Sequence, residues 1–225
     1  MNVLIACEES QRVCIEFRKR GHNVYSADIQ EPSGGYPDYH ILGDIIPYLN
    51  GGIFKTMAGR TEYIDKWDLI IAFPPCTYLT LVATRHHSLK CSSLDRINER
   101  TIKRIAAEEF FMKFATADCD KIAIENPVGV MNTVYRKPDQ IISPYMFAES
   151  EYDTENYVTK TTCLWLKGLY PLQTNSLPPP DNKKLFGVNP SGKNRNWEES
   201  ITHNRSVLRS KTFPGIAKAM AEQWG

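Results

Sequence analysis

Residues 68–79 (DLIIAFPPCTYL) constrain the fold more than any other stretch. An apolar run over residues 69–73 stops on Pro74-Pro75, and a cysteine follows at once. Proline has no N–H to give a sheet ladder, and it turns the residue before it away from the helix. The run therefore predicts a buried strand that ends abruptly, with Cys76 on the loop just past its carboxyl end. In open α/β sheets that edge is where ligands bind. A thiol held there by stiff backbone has the placement of a nucleophile. Taken alone, the stretch fits equally well a small buried cysteine, a residue type among the most buried of all.

A second apolar run ends the same way, at Glu125-Asn126-Pro127. In a parallel sheet both tips lie on one edge. The Cys76 thiol and the Glu125 carboxylate would then converge on one substrate.

The chain before these tips alternates strand and helix. Residues 2–6 read as a strand. Val13, Cys14 and Phe17 follow at helical spacing, with Ser10 as the expected N-cap and Gly21 as the stop. Residues 24–28 form the second strand, ending in Asp28. An acid there is placed for ribose hydroxyls, its plainer role being a turn residue. The absence of G-x-G-x-x-G argues against a phosphate-cradling turn. Residues 40–44 read as a short strand whose Asp44 bonds an adenine amino group or caps a helix starting at Ile45. Residues 50–66 read as an insertion. Residues 77–93 have no clean period and read as a lid or binding loop.

A long helix is expected over residues 95–118. Its stripe of Ile97, Ile102, Ile105, Ala106, Phe110 and Phe114 is assigned to the core. Residues 129–157 read as irregular, 157–166 as a strand region and 171–204 as loop-rich. A closing helix starts at Pro214, with Ile216, Met220 and Trp224 on one face.

Composition narrows the class. With 225 residues, 42% hydrophobic and 24% charged, the chain is an ordinary globular sequence long enough for a substantial core. No run of about 18 apolar residues predicts a membrane span. The start reads directly as a strand without a basic leader, so the expected compartment is the cytoplasm. The six cysteines form no C-x-x-C pair, which argues against a disulfide framework or a zinc ribbon. His86-His87 and Cys91 lack a second ligand pair, so no metal is expected. At a net charge of +1, any nucleic-acid contact has to come from local patches. Two are visible: Arg85, Lys90, Arg96, Arg100, Lys103 and Arg104 after the Cys76 loop, and a Lys/Arg-rich last fifth.

Taken together, these parts resemble the DNA cytosine-5 methyltransferases, in the small form found in bacteriophage genomes. Pro74-Pro75-Cys76 resembles that family's Pro-Pro-Cys nucleophile loop. Glu125-Asn126-Pro127 resembles its Glu-Asn-(Val/Pro) motif. Residues 3–10 stand where the first cofactor motif lies, although Ala6, Cys7, Glu8 and Ser10 replace a glycine-containing Phe-x-Gly-x-Gly. Asp28 with Ile29 stands at the ribose-binding acid, and Asp44 with Ile45 at the adenine-binding acid. Pro74 adds to the cofactor side. Thr159-Lys160-Thr161-Thr162 is the nearest counterpart of Gln-x-Arg-x-Arg, which puts Lys160 and Thr162 at the substrate. Thr212-Phe213-Pro214-Gly215 resembles the closing cofactor motif.

The resemblance implies a Rossmann-like α/β methyltransferase sheet with helices on both faces and a small loop-rich C-terminal appendage. Residues 1–166 would be the catalytic core, 167–210 a small target-recognition region, and 211–225 a helix packing back on the core. The implied cofactor is S-adenosyl-L-methionine and the implied partner is DNA, in the cytoplasm of a bacterial host if the gene is a phage's. In the implied mechanism the Cys76 thiolate adds to cytosine carbon 6 and so activates carbon 5. That asks for a lowered thiol pKa. Glu125 would hold a proton toward N3, which asks for a raised one. Asn126 would orient the neighbouring loops, and Arg85 would hold a flanking phosphate. Two other readings stand beside this one: the same chemistry on RNA or a free cytosine nucleotide, and a non-catalytic binder built on the same scaffold. No oligomeric state follows from the sequence.

Overall fold

The computed structural model describes residues 1–84, 86, 88–195, 197 and 205–225, with 205–207 as backbone only. Seven strands form one sheet: β1 (Asn2–Ala6), β2 (Asn23–Asp28), β3 (His40–Leu42), β6 (Leu69–Ala72), β7 (Ile122–Asn126), β8 (Gln140–Ile142) and β9 (Thr162–Lys167). Their order across the sheet is β3-β2-β1-β6-β7-β9-β8. The first five run parallel, whereas β9 runs antiparallel to both of its neighbours. Residues 50–66, expected as an insertion, hold the hairpin of β4 (Gly52–Lys55) and β5 (Thr61–Ile64). Phe54 and Ile64 plug it into the core beside Trp67.

The central strand β6 is buried along its whole length, as a parallel strand covered on both faces must be. One face carries Leu4, Ile70, Ile122 and Ile124 under α3 (Leu94–Ala115) and the hairpin. The other carries Val3, Ile5, Leu69 and Ile71 under α1 (Arg12–Lys19) and the C-terminal helix Pro214–Trp224. This is the expected α/β sheet with helices on both faces. The closing helix buries Ile216, Met220 and Trp224 as its spacing requires, and Pro214 fits its first turn.

The chain leaves β1 for β2 and β3 on one side, then returns on the other side as β6. The reversal falls between β1 and β6, the switch point at which such sheets open a crevice. Register puts Ala6 beside Ala72, and Ala72 beside Ile124. The carboxyl ends of β1 and β6 therefore finish level, β7 runs on to Asn126, and the loops that follow the three strands share one rim.

Two local expectations are corrected. Ser10 does not cap α1: the N-cap position is Gln11, at φ 56°, with no side-chain cap of its own. Glu8 does the capping, its two carboxylate oxygens accepting from Val13 N (2.6 Å) and Cys14 N (3.2 Å). The stripe on α3 is core only at its C-terminal end. Phe111 and Phe114 are buried, whereas Ile102 is 69% and Ile105 49% exposed. The N-terminal half of this 22-residue helix overhangs the sheet. Residues 77–93, expected as a lid, contain the short helix α2 (Leu81–Thr84).

Candidate active site

The rim loop after β6 is held by the loop after β7. Asn126 Nδ2 donates to the Pro74 carbonyl over 2.8 Å, in a buried contact. Val130 N donates to Leu79 O (2.8 Å) and Leu81 N to Val128 O (3.3 Å), so the two loops pair like a short ladder. Gly129 sits in this ladder, where a Cβ would come 1.9 Å from Leu79 O. Leu79 N and Thr80 N both donate to Cys76 O, at 2.9 and 3.2 Å. Cys76 thus opens a tight turn clamped from its far side. Pro74 is buried, Pro75 is exposed and Cys76 is half-buried.

Glu125 lies one strand over. Its carboxyl lies in hydrogen-bond contact with Thr162 Oγ1, whose single hydrogen has the Asn126 carbonyl, 3.2 Å away, as its alternative acceptor. Burial holds the Glu125 carboxyl above its ordinary range, against the opposing pull of Lys160 and the Thr162 bond. The expected raised carboxyl is therefore present. The expected lowered thiol is not: burial, then the Glu125 charge, push Cys76 up, while Lys160 and Arg209 pull it down. Lys160 thus acts on both groups, and Glu125 on Cys76.

Lys160 arrives from the segment before β9. Its Nζ donates to Arg209 O over 2.6 Å and stands 5.6 Å from the centre of the Phe213 ring. Thr212 O in turn accepts from Arg12 Nη1 over 2.7 Å. Residues 209–213 thereby border the cleft that holds Phe73, Glu125, Lys160 and Thr162. The resemblance marked Thr212 and Phe213 as part of a closing cofactor motif, but the contact of this segment with Lys160 beside Glu125 was not foreseen. Arg209 lies 49 positions beyond Lys160, and no local pattern marks the contact.

The second half of the rim lies past β1 and β2. Cys7 adopts φ 59°, the left-handed region in which glycine is the usual resident. The first turn thus keeps a glycine's geometry without a glycine, at a cost of roughly 1–3 kcal/mol. Burial, then the charges of Asp28 and Asp44, raise the Cys7 thiol. Each acid also closes its own turn: Asp28 Oδ1 accepts from Gln30 N (2.9 Å) and Asp44 Oδ1 from Ile46 N (3.0 Å). Neither makes an ion pair among the described residues, so each keeps acceptor capacity for a ligand. Ser10 Oγ is buried without a hydrogen-bond partner.

The other expected cofactor residues differ in depth. Glu8 is 4% exposed, with both carboxylate oxygens on α1 and its N–H on Ala27 O. Ile45 packs into the core and Ala6 is fully buried, whereas Ile29 is 80% exposed. Arg85, expected at a phosphate, lies outside the described residues. No group of three or more His, Cys, Asp or Glu that could hold a metal occurs among the described residues. No helix is long and apolar enough to cross a membrane, again among the described residues.

No protein-family model and no curated protein matches this chain. Among solved structures, the chain is similar to one described as a candidate DNA modification methyltransferase encoded within a prophage of E. coli. The two share 13% identity at a TM-score of 0.45, over 84% of this chain and 56% of the other. The chain therefore spans little more than half the length of that protein.

Proposed function

We propose that the chain transfers a methyl group from S-adenosyl-L-methionine to carbon 5 of cytosine in DNA, with Cys76 as the covalent nucleophile. The reading rests chiefly on one observation. Cys76 follows the end of β6, Glu125 lies at the end of the neighbouring parallel strand β7, and the buried Asn126–Pro74 bond ties the two loops together.

Residues past β1 and β2 fit the proposed cofactor. Asp28 and Asp44 offer unpaired carboxylate oxygens to hydroxyl and amino groups, and the buried Ser10 Oγ lacks a partner. The left-handed Cys7 lets the main chain curl as a glycine turn does. When bound, S-adenosyl-L-methionine supplies an electrophilic methyl group.

Cys76 then does the activating work. Its thiolate adds to carbon 6 of the base, which moves electron density to carbon 5. Once carbon 5 carries the methyl group, loss of its proton to a base expels the thiolate from carbon 6 and restores the ring. Burial favours the protonated form of Glu125, the form that donates to N3 and so favours the addition. The two shifts support each other. A neutral Glu125 no longer opposes ionisation of Cys76, and Lys160 stabilises the thiolate. Thr162 fixes the carboxyl, and Asn126 fixes the loop bearing the thiol. The target base has to leave its stack to reach this rim, at a cost of a few kcal/mol. We assign residues 1–166 to the catalytic core, 167–210 to target recognition and 211–225 to the helix that closes on the core.

Incubating unmodified DNA with tritiated S-adenosyl-L-methionine, followed by base analysis, tests the reading. Label in 5-methylcytosine, absent with Cys76→Ser, is the expected result. Label in another base would overturn it.

A further inference from the structure

Tyr78, two residues past Cys76, is bracketed by cations from α3. The Arg100 guanidinium lies 5.3 Å, and the Lys103 ammonium 5.9 Å, from the centre of its ring. Arg104 Nε donates to the Tyr78 carbonyl over 3.4 Å. Lys103 is matched by Glu99 at 2.5 Å. Arg100 and Arg104 have no carboxylate in salt-bridge contact among the described residues. Moreover, Arg100 Nε and Arg104 Nη2 are enclosed without any hydrogen-bond acceptor. Unmet donors on a buried part of a cation are costly, and the other N–H groups of each guanidinium fork are the ones an outside anion meets.

Arg96, Arg100 and Arg104 recur every fourth residue, so they share one face of α3 over about 12 Å. This is the half of α3 that overhangs the sheet and has no core to bury. A guanidinium fork matches a phosphate with two parallel hydrogen bonds, and an aromatic ring between cations suits a stacked base.

We propose that Arg96, Arg100 and Arg104, with Tyr78, form a track for the phosphodiester backbone of the DNA strand whose base enters the Cys76 site. The assignment rests on the reading of the chain as a DNA-modifying enzyme. Its consequence is mechanical. Tyr78 lies inside the turn that Leu79 and Thr80 close on the Cys76 carbonyl, so a strand seated on the track also sets the thiol-bearing turn.

The test is fluorescence anisotropy of the full chain with a labelled random-sequence duplex pool over a salt series. An Arg100→Gln/Arg104→Gln variant is expected to lower the slope of log affinity against log salt by about two, one for each phosphate left without its guanidinium. Lys218→Gln, an exposed cation paired with Glu149, is expected to keep the wild-type slope. If the double variant does not melt like the wild type, Arg96→Gln replaces it, with an expected decrease of about one. A folded variant with the wild-type slope, or a wild type that binds no DNA, overturns the track. Methyl transfer measured in parallel separates the two ideas. Transfer with an unchanged slope removes the track and keeps the enzyme reading. A lowered slope with no transfer by the wild type does the reverse.

Discussion

The side-chain amide of Asn126 reaches across from the end of β7 and donates to the main-chain carbonyl of Pro74 over 2.8 Å. This bond joins the strand end that carries Glu125 to the loop that carries Cys76. Asn126→Ala leaves the buried carbonyl without its donor, and the expected loss of stability is about 1–3 kcal/mol. Methyl transfer is expected to fall with it, while cofactor affinity stays near wild type because Asp28 and Asp44 are untouched. Urea unfolding and calorimetric titration with S-adenosyl-L-methionine check the two parts. Equal losses in both would show that Asn126 supports the whole fold instead of the loop.

Gly129 allows the same two loops to pair. A Cβ there would meet Leu79 O at 1.9 Å, and the neighbour is backbone, which cannot swing aside. Gly129→Ala is therefore expected to part the loops and destabilise by about 1–3 kcal/mol, as overpacking does. Alkylation of Cys76 by iodoacetamide, followed peptide by peptide, should quicken as the turn opens. An unchanged rate and melting temperature would contradict the pairing.

The thiol itself carries a signed prediction. Burial and the Glu125 charge raise Cys76 above the ordinary value of 9.0, and Lys160 lowers it. The alkylation rate of Cys76 should therefore inflect above pH 9.0 in the wild type. Glu125→Gln removes a negative charge and should move the inflection down. Lys160→Ala removes a positive charge and should move it up. Shifts in the opposite directions would separate these side chains.

Glu8 predicts a dependence of stability on pH. Burial lifts its carboxyl from 4.5 to about 8 in the folded chain, against the lowering effect of the two N–H donors of α1. The folded state thus holds a proton that the unfolded chain has released. The contribution is complete below pH 4.5 and is lost as pH rises through about 8. Urea midpoints from pH 5 to 9 should fall with pH, and Glu8→Gln should flatten that fall. A variant with the same slope as the wild type would refute the assignment.

The strand ends at Cys76 and Glu125 were legible because the stops are local. Proline cuts a ladder wherever it stands, and two such stops define one edge once the sheet is parallel. Asp28 and Asp44 were legible as strand tips for the same reason. Glu8 was not, because the strong N-cap preference of Ser10 points to a cap that the chain makes from further back. Cys7 was not, because a left-handed turn without glycine leaves no sequence mark. On α3 the period gave a face without telling whether anything covers it, so Ile102 and Ile105 read as core although the helix overhangs. Lys160 and Thr212-Phe213 were marked by resemblance, but the bond of Lys160 to Arg209 joins them only through long-range folding, which spacing along the chain does not encode.

The central claim is that Cys76 attacks a cytosine ring. A duplex pool with 5-fluorocytosine at random positions tests it directly, because fluorine cannot leave carbon 5 as the proton does. With S-adenosyl-L-methionine present, mass spectrometry of the digested protein should find the nucleotide joined to the Cys76 peptide, and nothing joined in Cys76→Ser. An adduct on another cysteine, or methyl transfer to DNA by Cys76→Ser at the wild-type rate, would contradict the account.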